Sequence, residues 1–90
     1  MFIVIAREGQ TISIGDRLVR VLSVTRPGLV AVTVDGEPDP ILLSWDRKLT
    51  ILPGVNVTID RATSYSQRIK FFFEAPRSVR IRELPYEPPE

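Results

Sequence analysis

Arginine is the residue type of this chain best suited to binding a charged ligand. Between residues 61 and 82 the only acidic residue is Glu74, and the basic residues are Arg61, Arg68, Lys70, Arg77, Arg80 and Arg82. A guanidinium is a planar fork of N–H donors that engages a phosphate, or the O6/N7 edge of guanine, in two hydrogen bonds. Because the net charge of the chain is only +1, these residues predict a local basic face rather than a general attraction to polyanions. An ordinary solvated sheet face would explain the same residues.

Side chains that serve in catalysis or metal binding are scarce. The 90 residues include no cysteine and no histidine, which excludes disulfides and thiolate zinc sites and removes the commonest general base. The carboxylates form no acid/base motif, the serines have no base partner, and no glycine-rich phosphate loop precedes a helix. We therefore predict that the protein is not an enzyme and uses neither a cofactor nor a metal.

Length and composition favour one small domain in the cytoplasm. A chain of 90 residues is at the small end of what folds without disulfides or metals. The lack of cysteine fits a reducing compartment. The apolar run at residues 1–5 is too short, and too soon followed by charge, for a signal or transmembrane segment. We predict a cytoplasmic protein that does not bind membranes.

Apolar and polar residues alternate in short runs, which is the pattern of half-buried β-strands. Turn signals such as Gly15-Asp16, Pro53-Gly54 and Ser64-Tyr65-Ser66 separate the runs, and no segment shows helical spacing. Short, evenly spaced strands predict an all-β sandwich or barrel with no substantial helix. The apolar phase of these runs consists of Val19, Val21, Val24, Val30, Val32, Val34, Ile41, Leu43, Val55, Val57, Ile59, Ile69, Phe71, Phe73, Val79 and Ile81.

Much of this pattern occurs twice. Residues 30–34 match residues 69–73, and Glu37-Pro38 matches Ala75-Pro76, at an offset of roughly 38–39 residues that is typical of a duplicated unit. The general similarity of short antiparallel strands is the alternative explanation.

The repeat predicts the organisation of the chain. We expect a single domain over residues 1–84, built from two tandem laps, about 1–47 and 43–84, that share a middle segment. Prolines remove backbone donors and disfavour helix, so the proline-rich residues 85–90 are predicted to be an extended, flexible tail.

Two segments resemble the carbon storage regulator (CsrA/RsmA) family. Residues 7–16, Arg-Glu-Gly-Gln-Thr-Ile-Ser-Ile-Gly-Asp, resemble the opening of that family. Residues 73–82, Phe-Glu-Ala-Pro-Arg-Ser-Val-Arg-Ile-Arg, are similar to its Ala-Pro turn and last strand. Members are small bacterial proteins that form dimers of interlocked halves, bind GGA sequences in mRNA leaders and block translation. The resemblance implies that this chain is a divergent fused pseudo-dimer with two interlocked, antiparallel-rich sheets.

The resemblance also implies where RNA binds. In the family, each site combines the first strand of one subunit with the last strand of the other, so residues 1–7 should lie near residues 78–84. Arg7 would then lie beside Arg80 and Arg82, with Val4 adding apolar contact and the Ala75-Pro76 turn offering backbone groups. The full set of implied RNA-binding residues is Val4, Arg7, Ala75, Pro76, Arg77, Arg80 and Arg82.

The pseudo-equivalent second site differs from the first. Trp45 takes the position of a family arginine, and the acidic Asp35, Glu37 and Asp39 surround the corresponding turn. We therefore expect one RNA site per chain. In the second lap a strict alignment places Glu83 at that arginine position, whereas a slip of one residue places Arg82 there.

The implied function is an RNA-binding repressor of translation that occupies mRNA leaders or small RNAs. The alternative is a protein-interaction module on the same scaffold, which has lost RNA binding and binds a regulator or antagonist protein. A structural β domain is a third interpretation. The oligomeric state is open between a monomeric pseudo-dimer and a homodimer that pairs through unpaired sheet edges.

Overall fold

The structure of the chain, a computed structural model, describes residues 1–62 and 68–86. In these residues the chain forms nine β-strands and no helix, which confirms the predicted all-β class. The predicted turn at Ser64-Tyr65-Ser66 and residues 87–90 of the predicted tail lie outside the described residues. The strands are β1 (Phe2–Ala6), β2 (Thr11–Ile14), β3 (Arg17–Arg26), β4 (Leu29–Val34), β5 (Ile41–Ser44), β6 (Leu49–Leu52), β7 (Val55–Ile59), β8 (Ile69–Glu74) and β9 (Ile81–Glu83).

The strands form two antiparallel sheets that exchange their terminal strands. The first sheet has the order β1-β8-β7-β6, and the second has the order β5-β4-β3-β2-β9. The early strands β2–β5 thus receive the last strand, β9, and the late strands β6–β8 receive the first strand, β1. This exchange makes the two sheets interlocked, as predicted.

The strand β5 overlaps the middle segment that the two predicted laps share. It pairs with β4, just as β1 pairs with β8. In the predicted two-lap organisation, this is the place of a first strand for the second lap. On its other side a single antiparallel bridge, from Ser44 to Arg47, connects it to the segment leading into β6.

A single core lies between the two sheets. It contains Val21 and Val32 of the second sheet together with Val57 and Phe71 of the first. The rings of Phe71 and Phe73 are stacked, with centroids 6.2 Å apart. All the residues of the predicted apolar phase are buried or partly buried in this core, because alternate side chains of a strand point to the same face.

Candidate nucleic-acid interface

The first and last strands lie side by side where an edge of one sheet meets an edge of the other. β1 is hydrogen-bonded only to β8, and β9 only to β2, within the described strands. Between them lies a groove of about 340 Å³, lined by Ile3, Val4 and Ile5 of β1 and by Ile81, Arg82 and Glu83 of β9. We call this junction the β1–β9 seam. The neighbourhood that the sequence predicted for residues 1–7 and 78–84 is present there.

Arg7 lies at one end of the seam, directly after β1. Its side chain is exposed, and its guanidinium carbon lies 4.1 Å from the centre of the Tyr86 ring, in a cation–π stack. Its backbone N–H donates to the Gln10 side-chain oxygen at 3.0 Å. The guanidinium is therefore held by an aromatic face while its N–H donors lie in a plane open to other partners.

The chain beyond β9 is fastened to this end of the seam. The Leu84 N–H donates to the Thr11 carbonyl, and the Gln10 side-chain amide donates to the Leu84 carbonyl, both at 2.9 Å. Residues 84–86, which we call the strap, thereby bring Tyr86 over Arg7. The first two residues of the predicted tail, Pro85 and Tyr86, thus lie against the Arg7 end of the seam.

The arginines follow the seam in a row rather than meeting in a cluster. Arg82 lines the groove beside Ile3 and Ile5 and is paired with Ser13 on the outer face of the second sheet. Arg80 precedes β9, and its carbonyl accepts a hydrogen bond from the Gly15 N–H at 2.8 Å. Glu83, on the other side of Arg82, reaches the Arg7 end. Arg80 and Arg7 therefore mark opposite ends of the seam, which corrects the expectation that they lie side by side.

These guanidiniums are available for a ligand. Arg7, Arg80 and Arg82 are all exposed. The two ion pairs among the described residues both involve lysines. The three arginines therefore have no carboxylate partner in this part of the chain, and their charge faces solvent.

The turn between β8 and β9 carries the other implied site residues. Ala75 is partly buried against the core, whereas Pro76 and Arg77 are exposed. The Pro76 carbonyl accepts a hydrogen bond from the Val79 N–H at 3.0 Å. Because Phe2 pairs with Phe73 at the end of β8, this turn lies at the Arg80 end of the seam, away from Arg7.

The position of Val4 corrects the prediction of an apolar contact from this residue. Its side chain is only 8% exposed and belongs to the core, so it contributes little surface to the groove that it borders. The outward residues of β1 are instead Ile3 and Ile5, at 59% and 44% exposure. Val4 points inward because it pairs with the buried Phe71, on the same face of the sheet.

The opposite side of the molecule has a different character. Trp45 is 43% exposed and packs on Gly28, with the Arg61 guanidinium carbon 4.8 Å from the centre of its ring. The acidic turn over residues 35–39 is exposed, and the Asp35 carbonyl accepts a hydrogen bond from Arg17 at 2.9 Å. This side thus shares an arginine–aromatic pair with the β1–β9 seam but differs from it in the exposed acidic turn.

Several residues that line the seam were not among the implied site residues, and the polar or aromatic ones are Gln10, Arg68, Glu83 and Tyr86. Together with Ile5 and Arg7 they line a cleft of about 420 Å³ at the Arg7 end. Glu83 stood out in the sequence only as a departure from a family pattern. No local pattern in the sequence indicated a partner for Tyr86, because its contact with Arg7 depends on the pairing of β9 with β2.

No known family, curated protein or solved structure matches this chain. The resemblance to the carbon storage regulators thus remains a prediction from the residues that carry it. The described segments include no helix of the length and apolarity that would span a bilayer. They also contain no group of three or more acidic side chains placed to hold a metal ion.

Proposed function

We propose that this protein binds single-stranded or loop RNA along the β1–β9 seam and thereby represses translation. The observation that carries the proposal is the row of exposed arginines, without carboxylate partners in the described residues, beside two strand edges that meet without pairing. The implied targets are GGA-type motifs in mRNA leaders or small RNAs.

The seam offers the three kinds of contact that unpaired RNA requires. Arg7, Arg80 and Arg82 supply charge for phosphates and planar donors for base edges. Ile3 and Ile5 form an exposed apolar strip against which bases can pack. The unpaired edges of β1 and β9 offer backbone N–H and C=O groups, which read the Watson–Crick and Hoogsteen edges of splayed bases.

The mechanism follows from binding alone. An RNA strand held along the seam is covered by protein, so a ribosome cannot load on the same nucleotides. The protein acts without turnover, and the proposal needs no cofactor. Because both strands of the seam come from one chain, we propose that the monomer is the binding unit.

The test is a fluorescence anisotropy titration with a GGA hairpin and with the same hairpin carrying a scrambled loop. We expect tighter binding of the GGA hairpin. Three phosphate contacts would give a slope of about −2 when the logarithm of the association constant is plotted against that of the salt concentration.

Replacing Arg82 tests the site directly. Arg82→Ala should weaken binding by about 1–3 kcal/mol if the side chain reads a base edge, or reduce the salt slope by about 0.7 if it contacts a phosphate. The matched control is Arg47→Ala, since Arg47 is exposed on the opposite side of the molecule. Equal effects of the two variants, or equal binding of the scrambled loop, would reject specific recognition at the seam.

A protein partner is the second candidate, and the exposed apolar end of β1 favours it. Met1, Phe2 and Ile3 are large and exposed beside an edge that is unpaired in the described residues. A regulator or antagonist protein could add a strand to such an edge. No binding of either hairpin at low salt would favour this candidate over the first.

A further inference from the structure

The cleft at the Arg7 end of the seam contains more than a phosphate site needs. Besides Arg7 and a second arginine, Arg68, it is lined by Glu83, Tyr86 and Gln10. Its volume of about 420 Å³ lies within the range of small-ligand pockets. A phosphate alone would be repelled by Glu83 and would gain nothing from Tyr86. The combination therefore points to the base of a nucleotide.

Glu83 is placed to accept hydrogen bonds from a ligand. It is opposite Ile12 in the pairing of β9 with β2, whereas Arg82 is opposite Ser13, so the two side chains leave β9 on opposite sides. Glu83 is exposed, and in the described residues it has neither an ion pair nor a side-chain hydrogen bond. An ionised carboxylate is purely an acceptor, with two oxygens side by side. It is satisfied by a ligand that presents two adjacent N–H donors.

Tyr86 and Arg7 form a platform for a flat ligand. The ring lies 4.1 Å from the Arg7 guanidinium carbon. It also lies close to Gly9, where an added Cβ would be 3.5 Å from the ring edge. The strap, fastened through Gln10, holds the ring in this position before any ligand arrives. Aromatic rings and guanidinium planes are the surfaces on which splayed bases stack.

We propose that this cleft holds one unpaired guanine of the bound RNA, which stacks on the Tyr86–Arg7 pair and donates to Glu83 from N1–H and its exocyclic amine. Guanine is the RNA base that presents two adjacent donors on its Watson–Crick edge, matching the two oxygens of a carboxylate. The in-plane donors of Arg7 point away from a base stacked on its plane and remain available for a flanking phosphate. This inference rests on the proposed RNA binding and adds a base-specific contact to it.

The test uses the full chain, the GGA hairpin and copies in which each guanine in turn is replaced by inosine, which lacks the exocyclic amine. The wild type should bind one inosine copy about tenfold more weakly than the parent. Glu83→Gln should weaken binding of the parent hairpin by about the same factor and remove the preference for guanine over inosine. The control Glu37→Gln, in the exposed acidic turn, should leave both affinities unchanged.

The sign of the Glu83→Gln effect decides between two roles. A carboxylate that merely opposes phosphate would give tighter RNA binding once its charge is removed. Tyr86 gives an independent readout, because Tyr86→Phe keeps the stacking surface and should bind normally. Tyr86→Ala should bind about tenfold more weakly or worse.

The outcomes separate this inference from the function on which it rests. Tight, salt-dependent, Arg82-dependent binding that Glu83→Gln strengthens, and that no inosine weakens, would overturn the guanine contact and leave RNA binding in place. Absence of binding to any hairpin at low salt would overturn both. Circular dichroism melting curves of the variants, which should match the wild type, exclude loss of the fold as the cause.

Discussion

At the scale of single residues, Phe71 and Phe72 show how strand phase decides the role of a side chain. Phe71 is fully buried between the sheets, and Phe72 lies half-buried on the outer face of the first sheet. Phe72 would be fully buried if the interlocked sheets covered both faces of β8. The outer face of β8 is instead open to solvent, with Phe72 between Ile3 and Thr58 of the neighbouring strands.

This difference predicts very different costs for the same substitution. Phe71→Ala should lower the free energy of unfolding by about 3–5 kcal/mol, since it leaves a cavity in the core. Phe72→Ala should lower it by about 1 kcal/mol, because the ring keeps part of its surface in water. Urea denaturation of the two variants measures both values. Similar losses for the pair would contradict the assigned phase of β8.

A second prediction for single residues concerns the cost of replacing Gly28. Its φ is +77°, and an added Cβ would lie 2.4 Å from Cδ1 of Trp45, so Gly28→Ala adds a clash to the backbone cost. Gly54 has the same φ of +77°, but its added Cβ would meet nothing nearer than Pro76 at 3.7 Å. Gly54→Ala should therefore cost about 1–2 kcal/mol for backbone conformation alone. Gly28→Ala should cost about 1–3 kcal/mol more.

The same denaturation experiment compares the two glycine variants. Adding Trp45→Ala to Gly28→Ala should remove the excess cost of the clash and leave the backbone cost. If Gly28→Ala and Gly54→Ala were equally destabilised, the packing of Trp45 on Gly28 would be absent in solution.

At the scale of elements, the alternating runs of apolar and polar residues predicted most of the strands. β-branched and aromatic residues at every second position identify strands and the face that each buries, as with Val30, Val32 and Val34. Residues 1–5 resist this reasoning, because apolar side chains occupy both phases. Only the pairing of β1 with β8 determines that Val4 faces inward. Long-range pairing likewise decides the contact of Tyr86 with Arg7, which no local pattern contains.

Gln10 links the β1–β2 turn to the strap, and replacing it tests that link. Its side chain accepts from the Arg7 N–H and donates to the Leu84 carbonyl. Gln10→Ala should free the strap from the β1–β2 turn, at a cost of about 1–3 kcal/mol for the two hydrogen bonds. Amide hydrogen exchange should then be faster at Leu84, whose N–H donates to Thr11. Unchanged protection there would show that the strap is held without Gln10.

At the scale of the whole molecule, the exchange of strands joins the two sheets into one structural unit. The early strands lack an edge strand without β9, and the late strands lack one without β1. Each sheet also supplies one side of the shared core. We therefore expect neither lap to be stable alone, and we expect the monomer to be folded, since one chain supplies both sheets.

Cooperative unfolding is the corresponding prediction. The fluorescence of Trp45, next to β5, and the far-ultraviolet circular dichroism of all strands should report the same denaturation midpoint and the same slope. The common transition should not depend on protein concentration, as expected for a monomer. Two separate transitions, or a midpoint that rises with concentration, would contradict a single self-sufficient unit.

The pairing of β1 with β8 has a consequence during synthesis on the ribosome. Phe2 finds its partner at Phe73, so translation must continue for roughly 70 residues before β1 has a strand to join. At about 5–20 residues per second the wait is several seconds. During this time Ile3, Val4 and Ile5 form an apolar segment of the nascent chain that has no partner strand. Chaperones can bind such a segment, and it can aggregate with other nascent chains. β1, which completes the first sheet, is thus also a segment that needs protection before that sheet exists.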